Sequence, residues 1–303
     1  MDLIDGLLDG PRARGAFLLR AILDPPWCLR IQDEAPLCLV AVLRGDAWVS
    51  FSGTEGSRLS PGDVAIIRGT EPYTVADRPG TPPQIVIHPG QRCTTPDGVE
   101  LHEQMDLGVR TWGTSLDGES MMLIGTYETA TEVGKRLLGS LPRMVVVDSP
   151  MTPQLAEEIV KDEPGQQAVL DRLLDLMTIA GLRSWLSSSG WSKAHHDPVV
   201  GTALKLMHHH PAHPWTLNDL AARSGVSRAA LARRFTDLVG EPPIAYLTGW
   251  RLALAADLLL DPDATVGSVA ARVGYSTPFA LSTAFKRVRG VSPQQYRSVT
   301  VAG

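Results

Sequence analysis

The chain has 303 residues, 44% hydrophobic and 20% charged, an ordinary balance for a globular protein of about two domains of ~100–200 residues each. No apolar run approaches the ~20 residues needed to cross a bilayer, and no membrane partner is expected. The formal net charge of −5 conceals an imbalance, because residues 198–303 carry +5 and residues 1–197 carry −10. An acidic front half joined to a basic back half confines any nucleic-acid contact to the back. The N-terminal stretch MDLIDGLLDG lacks the basic segment and cleavage site of a signal peptide, so a cytoplasmic protein is expected. Three scattered cysteines, Cys28, Cys38 and Cys93, are too few for a disulfide scaffold.

Residues 2–23 show apolar side chains at helical spacing, with Leu3, Leu7 and Leu8 on one side, and predict a helix. After Pro25-Pro26 come short runs rich in Val, Ile, Leu and Trp: WCLRI, LCLVAVL, AWVSF, DVAIIR and QIVIHP. Gly, Pro, Asp and Ser clusters separate them, and further strand candidates lie near Leu107–Trp112, Met121–Thr126 and Met144–Val147. Such spacing predicts an antiparallel sandwich or barrel. The piece Leu59-Ser60-Pro61-Gly62-Asp63-Val64 resembles the turn entering a strand in the cupin jelly roll. A metal-dependent cupin enzyme would continue with an H-x-H pair and a carboxylate, but Tyr73 follows Glu71-Pro72 and no H-x-H occurs in this half. His88, Cys93 and His102 match no ligand spacing. Neither a metal nor a cofactor is expected, and a cupin-like binding barrel is favoured over a cupin enzyme.

From Met151 the pattern turns helical. Thr152-Pro153 opens a helix on which Leu155, Ile159 and Val160 share a face, and Glu163-Pro164-Gly165 ends it. Residues 166–186 form a longer amphipathic segment bearing Val169, Leu170, Leu173, Leu174, Met177 and Leu182. Two helices after a barrel predict a homodimer contact through this domain. Ser187-Ser188-Ser189-Gly190 reads as a linker. The expected division is a sensory domain over 1–190, with a helical domain over 191–303.

The helical domain repeats itself. LAARSGVSRAALARRFTDLVGEPPIAY, starting at Leu220, is echoed by VAARVGYSTPFALSTAFKRVRGVSPQQY, starting at Val269. Ala222, Arg223, Gly225 and Ser227 recur 49 residues later, while Phe235, Gly240, Pro243 and Tyr246 recur 50 residues later. In the first copy Thr216 and Asp219 form a capping signal, Gly225 makes a sharp turn, Ser227 caps a second helix, and Ala222 is small where the helices would cross. In the second copy Thr277-Pro278 supplies an N-cap and a proline at the first helical position. Two helix-turn-helix units are expected, joined by an apolar helix over 244–260 that would span ~25 Å. With its turns this connector could set two recognition helices in successive major grooves, ~34 Å apart. His208-His209-His210 reads as a helix end, since only i, i+3 and i+4 neighbours share a helical face.

These residues resemble the DNA-binding domain of the AraC/XylS family of bacterial transcription regulators. The matching motifs are SRAALARRF, GEPPIAYLTGWRLALAADLL and VAARVGYSTPFALSTAFKRVRGVSPQQYR, within Pro198 to Arg297. RGDAWV, LSPGDVAIIRG and DPVVGTALKLMHHHPAHPWT resemble the cupin-type sensory branch of that family, which includes a reactive-chlorine-responsive member. The resemblance implies base-reading positions at Ala229, Ala232 and Arg233 in the first unit and at Pro278, Phe279, Ser282 and Thr283 in the second. Arg233 alone has polar reach and can bind guanine in a bidentate manner, whereas Ala229 and Ala232 would meet thymine methyls. Ser227, Arg228, Arg234, Thr277, Lys286 and Arg287 are expected at phosphates, which position the protein without specifying sequence.

The expected architecture is therefore α+β: an N-terminal cupin-like β-barrel (jelly roll) with flanking helices, then an all-α domain with two helix-turn-helix motifs. The expected function is sequence-specific, DNA-binding transcription regulation under a small-molecule or oxidant signal. Its partners would be double-stranded promoter DNA, a small-molecule effector and, for an activator, RNA polymerase. Trp27, Trp48 and Tyr73 are candidates for an effector pocket. Cys28, Cys38 and Cys93 are candidates for a redox input, whose reactivity depends on thiolate character and exposure. The alternative reading is a cupin-type enzyme with an appended DNA-binding module.

Overall fold

A computed structural model of the chain describes residues 17–127, 132–139, 141–188, 193–194 and 196–301. Of these, residues 132–137 and those from 186 onward form one compact unit, and the rest form another.

The first unit is built on two sheets. The seven-stranded sheet comprises β1 (Phe17–Leu23), β3 (Leu37–Arg44), β6 (Asp63–Arg68), β10 (Asp106–Gly108), β11 (Thr111–Gly113), β12 (Ser120–Tyr127) and β13 (Met144–Asp148), in the order β10-β11-β1-β12-β3-β6-β13. The six-stranded sheet comprises β2 (Cys28–Ile31), β4 (Ala47–Phe51), β5 (Ser57–Leu59), β7 (Tyr73–Ala76), β8 (Ile85–His88) and β9 (Arg92–Thr94), in the order β5-β4-β7-β2-β8-β9. One core lies between them: Cys38, Val40 and Val42 of β3 meet Leu29 and Ile31 of β2 and Tyr73 and Val75 of β7. Alternate residues of β3, namely Leu37, Leu39 and Ala41, are buried too. A run that is apolar at every position is what a strand covered on both faces requires. The second cover is helix α3 (Gln166–Ser188). A Cβ on Gly181 would press on Ile66 and Val147, and one on Gly125 of β12 would collide with Leu174 of the helix.

Three expectations change. The predicted helix over residues 2–23 is a strand where it is described: Phe17–Leu23 pairs antiparallel with β12 and parallel with β11, and residues 2–16 lie outside the described residues. A short apolar run such as FLLRAIL cannot be assigned from periodicity alone, and the sheet's open hydrogen bonds decide it. The strands β5, β7 and β9, of three or four residues, carried no sequence signal of their own. In α2 (Thr152–Glu158) and the turn after it, Leu155 and Ile159 are fully buried, but Val160 is 40% exposed, because the helix has ended before it.

The second unit contains α1 (Glu132–Leu138, of which residues 132–137 belong here), α4 (Val200–His209), α5 (Leu217–Arg223), α6 (Arg228–Val239), α7 (Pro243–Leu259), α8 (Val266–Val273), α9 (Pro278–Arg289) and α10 (Pro293–Val301). Thr216 and Asp219 form the expected capping box of α5, and Thr265 with Ser268 forms a second on α8. In each repeat the turn closes by the same hydrogen bond, Val226 N to Ala221 O (3.0 Å) and Tyr275 N to Ala270 O (2.9 Å). Gly225 (φ +70°) and Gly274 (φ +83°) take the left-handed conformation this turn needs. The additional residue of the second copy falls in the turn, where Gly274-Tyr275-Ser276-Thr277 replaces Gly225-Val226-Ser227. Ala222 is exposed, and the buried residue at the helix crossing is its neighbour Ala221, matched by Ala270.

Each repeat has its own core. Leu220, Leu231, Phe235 and Tyr246 belong to the first; Val269, Leu281 and Phe285 to the second, with Tyr296 packed against it. The paired rings adopt the same edge-on geometry, Phe235–Tyr246 at 5.6 Å and 71°, Phe285–Tyr296 at 5.5 Å and 72°. The histidine run does contain the end of α4, yet His208 is a core residue. It is 3% exposed, hydrogen-bonded to Tyr246 Oη at 2.7 Å and stacked on Trp250 at 4.3 Å.

Gly113 has the tightest backbone approach in the barrel: at φ +150°, a Cβ there would run into the carbonyl of Ile22. Gly113→Ala is expected to destabilise the barrel by ~3 kcal/mol or more, as strained and overpacked positions do. A thermal melt of the variant within 1–2 °C of the parent would show that the strand pair can separate freely.

Candidate nucleic-acid interface and barrel cavity

Helices α6 and α9 each turn one face to their own core and leave the other open. Leu231 and Phe235 face inward from α6, and Leu281 and Phe285 from α9. The expected base-reading residues lie on the remaining face. Ala229 and Arg233 are exposed and Ala232 partly so; Pro278, Phe279 and Thr283 are exposed and Ser282 partly so. Phe279 is 80% exposed, an unusual position for an aromatic ring with no partner surface of its own. Thr236, seven residues after Ala229, is exposed on the same stripe, and i, i+7 spacing is the signal that would have added it.

Ser227 and Thr277 serve as N-caps. Their hydroxyl oxygens accept from Ala230 N (3.3 Å) and Ala280 N (3.1 Å), which fixes the start of each recognition helix. The basic residues divide into two groups. Arg228, Arg233, Lys286 and Arg287 are exposed and make no ion pair among the described residues. Arg234 is different: its Nε donates to Asp197 Oδ2 at 2.6 Å. Asp197 also accepts from the Val199 and Val200 amides at the start of α4. Burial alone would raise the Asp197 carboxyl, but these amides and the Arg234 guanidinium outweigh it and hold it below the usual carboxylate value. Arg234 is thus tied to the fold, and only part of its guanidinium remains for a phosphate.

In the barrel, a cavity of about 40 Å³ is lined by Cys38, Val40, Tyr73, Cys93 and Trp112, with Asp33 and Gln91 among its polar residues. Of the three aromatic candidates, Tyr73 lines this cavity. Trp27 is buried in the core, its Nε1 donating to Ser120 Oγ at 3.0 Å, and does not line the cavity. Trp48 lies on the opposite face of β4 from Ala47 and Val49, because side chains alternate along a strand. Trp112 was missed as a site residue, although its strand was anticipated. Among the described residues its indole Nε1 is buried without a hydrogen-bond partner, and the buried Tyr73 hydroxyl lies beside the Cys38 thiol. Of the cysteines, Cys38 and Cys93 line the cavity and Cys28 does not. Burial pushes each of the three thiols up to about 11. His88 is hydrogen-bonded to Thr94 and Gln32 on the six-stranded sheet.

A cupin family matches residues 2–187, and a helix-turn-helix domain family matches residues 220–298. The chain is 32% identical to an AraC-like transcription regulator of Streptomyces lividans, with 98% of each chain covered. It belongs to the AraC-like transcription regulators. A second such regulator, from Streptomyces antibioticus, is 30% identical over 98% of each chain. Among solved structures, the DNA-binding domain of AdpA in complex with a target DNA is 34% identical, with 35% of this chain and 94% of that one covered and a TM-score of 0.33.

As an AraC-like regulator, the protein binds double-stranded DNA through its helix-turn-helix unit. The asymmetry of its two open faces generates two expectations. Arg233→Ala should cost ~1–3 kcal/mol of specific binding and Ser282→Ala clearly less, because only Arg233 can engage a guanine edge in a bidentate manner. Equal losses in fluorescence anisotropy would show that the two units read alike. Among phosphate contacts, Arg228→Ala should lower the slope of log K against log salt by ~0.9, the increment for one contact. Arg234→Ala, already neutralised by Asp197, should change that slope much less.

Proposed function

We propose that the protein acts in the cytoplasm as a homodimer, reading promoter DNA with both helix-turn-helix units and responding to a small, neutral, largely apolar effector in the barrel. One observation carries the effector reading: among the described residues the buried donor Trp112 Nε1 has no partner, the buried Tyr73 hydroxyl has the weakly accepting Cys38 thiol beside it, and both residues line the same cavity. Buried polar groups are nearly always hydrogen-bonded, so a ligand acceptor supplies what the protein does not. Among the described residues the lining contains Asp33 but no Arg, Lys or His, which favours a neutral ligand over a carboxylate. At about 40 Å³ the cavity is far below the ~300 Å³ of a drug-sized site. Side chains must therefore move as the effector enters, which converts binding into a change of barrel shape.

An oxidant input is less well supported. Thiols raised to about 11 carry little thiolate at neutral pH, and the thiolate is the reactive form. For the dimer, α3 carries Leu170, Leu174 and Met177 buried on one side, while Val169 and Leu176 remain 43% and 44% exposed seven residues apart on another. That second stripe is the surface a partner copy would cover. At an activated promoter, RNA polymerase would be the further partner.

Thermal unfolding with size-matched probes tests the effector reading. Acetophenone should raise the melting temperature of the parent but not of a Tyr73→Phe/Trp112→Phe variant, and benzoate should raise neither. Equal stabilisation by benzoate, or an undiminished response in the variant, would remove the reading. DNA affinity for the region upstream of its own gene should stay constant under hydrogen peroxide, and an oxidant-dependent change lost on replacing all three cysteines by serine would restore the redox input.

A further inference from the structure

Helix α1 is made of residues that neither the barrel nor the reading faces account for. By packing, residues 132–137 belong to the DNA-binding unit. Along the chain, however, they lie between β12 and β13, both strands of the seven-stranded sheet.

Among the described residues, α1 makes contacts with three different parts of the double reader. Its first two amides are capped by the connector helix: Glu132 N donates to Asp257 Oδ1 at 2.6 Å and Val133 N to Asp257 Oδ2 at 3.0 Å. The Glu132 carboxylate accepts from Arg289 Nη1 at 2.6 Å, and Arg289 is the last residue of the second recognition helix. Arg136 forms an ion pair with Glu241, directly after the Gly240 that ends the first recognition helix. Its guanidinium also lies 4.9 Å from the ring centre of Tyr246, while that of Arg289 lies 5.5 Å from the ring of Tyr296, the repeat-equivalent tyrosine. Gly249 of the connector leaves room for Arg136, since a Cβ there would collide with the guanidinium. The Glu132–Arg289 pair is largely shielded from solvent, with side chains 16% and 19% exposed, so salt screens it little.

We propose that Glu132 and Arg136 are positioning residues for DNA reading: α1 clamps the end of one recognition helix to the end of the other and fixes the spacing at which both meet the duplex. The first reader joins the connector helix through the turn at Gly240 and the second through the turn after Leu259. By binding Asp257, Arg289 and Glu241, α1 holds the C-terminal end of each recognition helix to that connector. The inference rests on both helix-turn-helix units contacting DNA together.

The test uses the full chain and an operator selected by it from a random duplex pool, with one or two base pairs inserted or deleted between the two boxes. Affinity of the parent should fall ~10-fold or more per step out of register, a loss of the size expected when a unit's base contacts are misplaced. Arg136→Glu should flatten this profile to under 3-fold per step. Adding Glu241→Arg, which reverses the pair and re-forms it, should restore the steep profile. Glu241→Gln breaks the same pair from a half-exposed position and replaces Arg136→Glu should that variant fail to fold. General destabilisation lowers affinity at every spacing alike and cannot flatten the profile. Profiles parallel to the parent, or no rescue by the reversed pair, would overturn the clamp. A parent indifferent to spacing would instead overturn joint reading by the two units, and the clamp with it.

Discussion

The DNA-binding unit depends on one helix that is apolar on nearly every side. Pro243–Leu259 buries Tyr246, Leu247, Trp250, Leu252, Ala253, Ala255, Ala256 and Leu259, which together cover its whole circumference. Such a helix is stable only when enclosed, and neither helix-turn-helix unit is large enough to enclose it alone. Its first turns complete the core of Leu231 and Phe235, and its last turns complete that of Leu281 and Phe285. Trp250, fully buried between them, stacks on His208. The two readers are thereby joined through a shared core element, and their spacing is a packing property of the protein.

The barrel solves a different problem. Its central strands are buried on both faces, with the inner residues filling the space between the sheets and the outer ones lying under α3. Within that core, Tyr73, Trp112, Cys38 and Cys93 line a cavity together with Asp33, Gln91, Thr126 and a majority of apolar side chains. A buried donor without a partner costs stability, and in the proposed function a ligand acceptor offsets that cost and favours one state over another. The same low-polarity surroundings also raise the thiols, which sets the two candidate signals against each other.

Much of this was legible in the residues. The repeat, its caps at Thr216, Ser227 and Thr277, and the left-handed turn at Gly225 are local features, set by side chains within a few positions of one another. The cupin-like strands were legible where valine, isoleucine and leucine ran together between turn signals. Legibility failed where the deciding partner lay far away in the chain. Phe17–Leu23 became a strand because β12 and β11, about a hundred residues on, offered it hydrogen bonds. Trp48 left the pocket because the packing of the two sheets turns the Ala47 and Val49 face of β4 inward, and Arg234 left the list of open phosphate contacts because Asp197 lies 37 residues before it.

By itself the sequence determined that the chain carries two copies of a helix-turn-helix pair behind a β-rich domain, since caps, turns and amphipathic periods are short-range chemistry repeated in register. It also determined which faces of α6 and α9 stay open, because the apolar stripe of each is written at i, i+4 spacing. Only the tertiary structure decided which buried polar groups of the barrel lack a partner among the described residues, and that a short helix lying between β12 and β13 in the chain contacts Arg289 at the end of α9 and Glu241 just after α6. Those outcomes depend on which distant surfaces meet, and the contacts of Glu132 with Arg289 and of Trp112 with Tyr73's cavity span sequence distances over which no local pattern carries information.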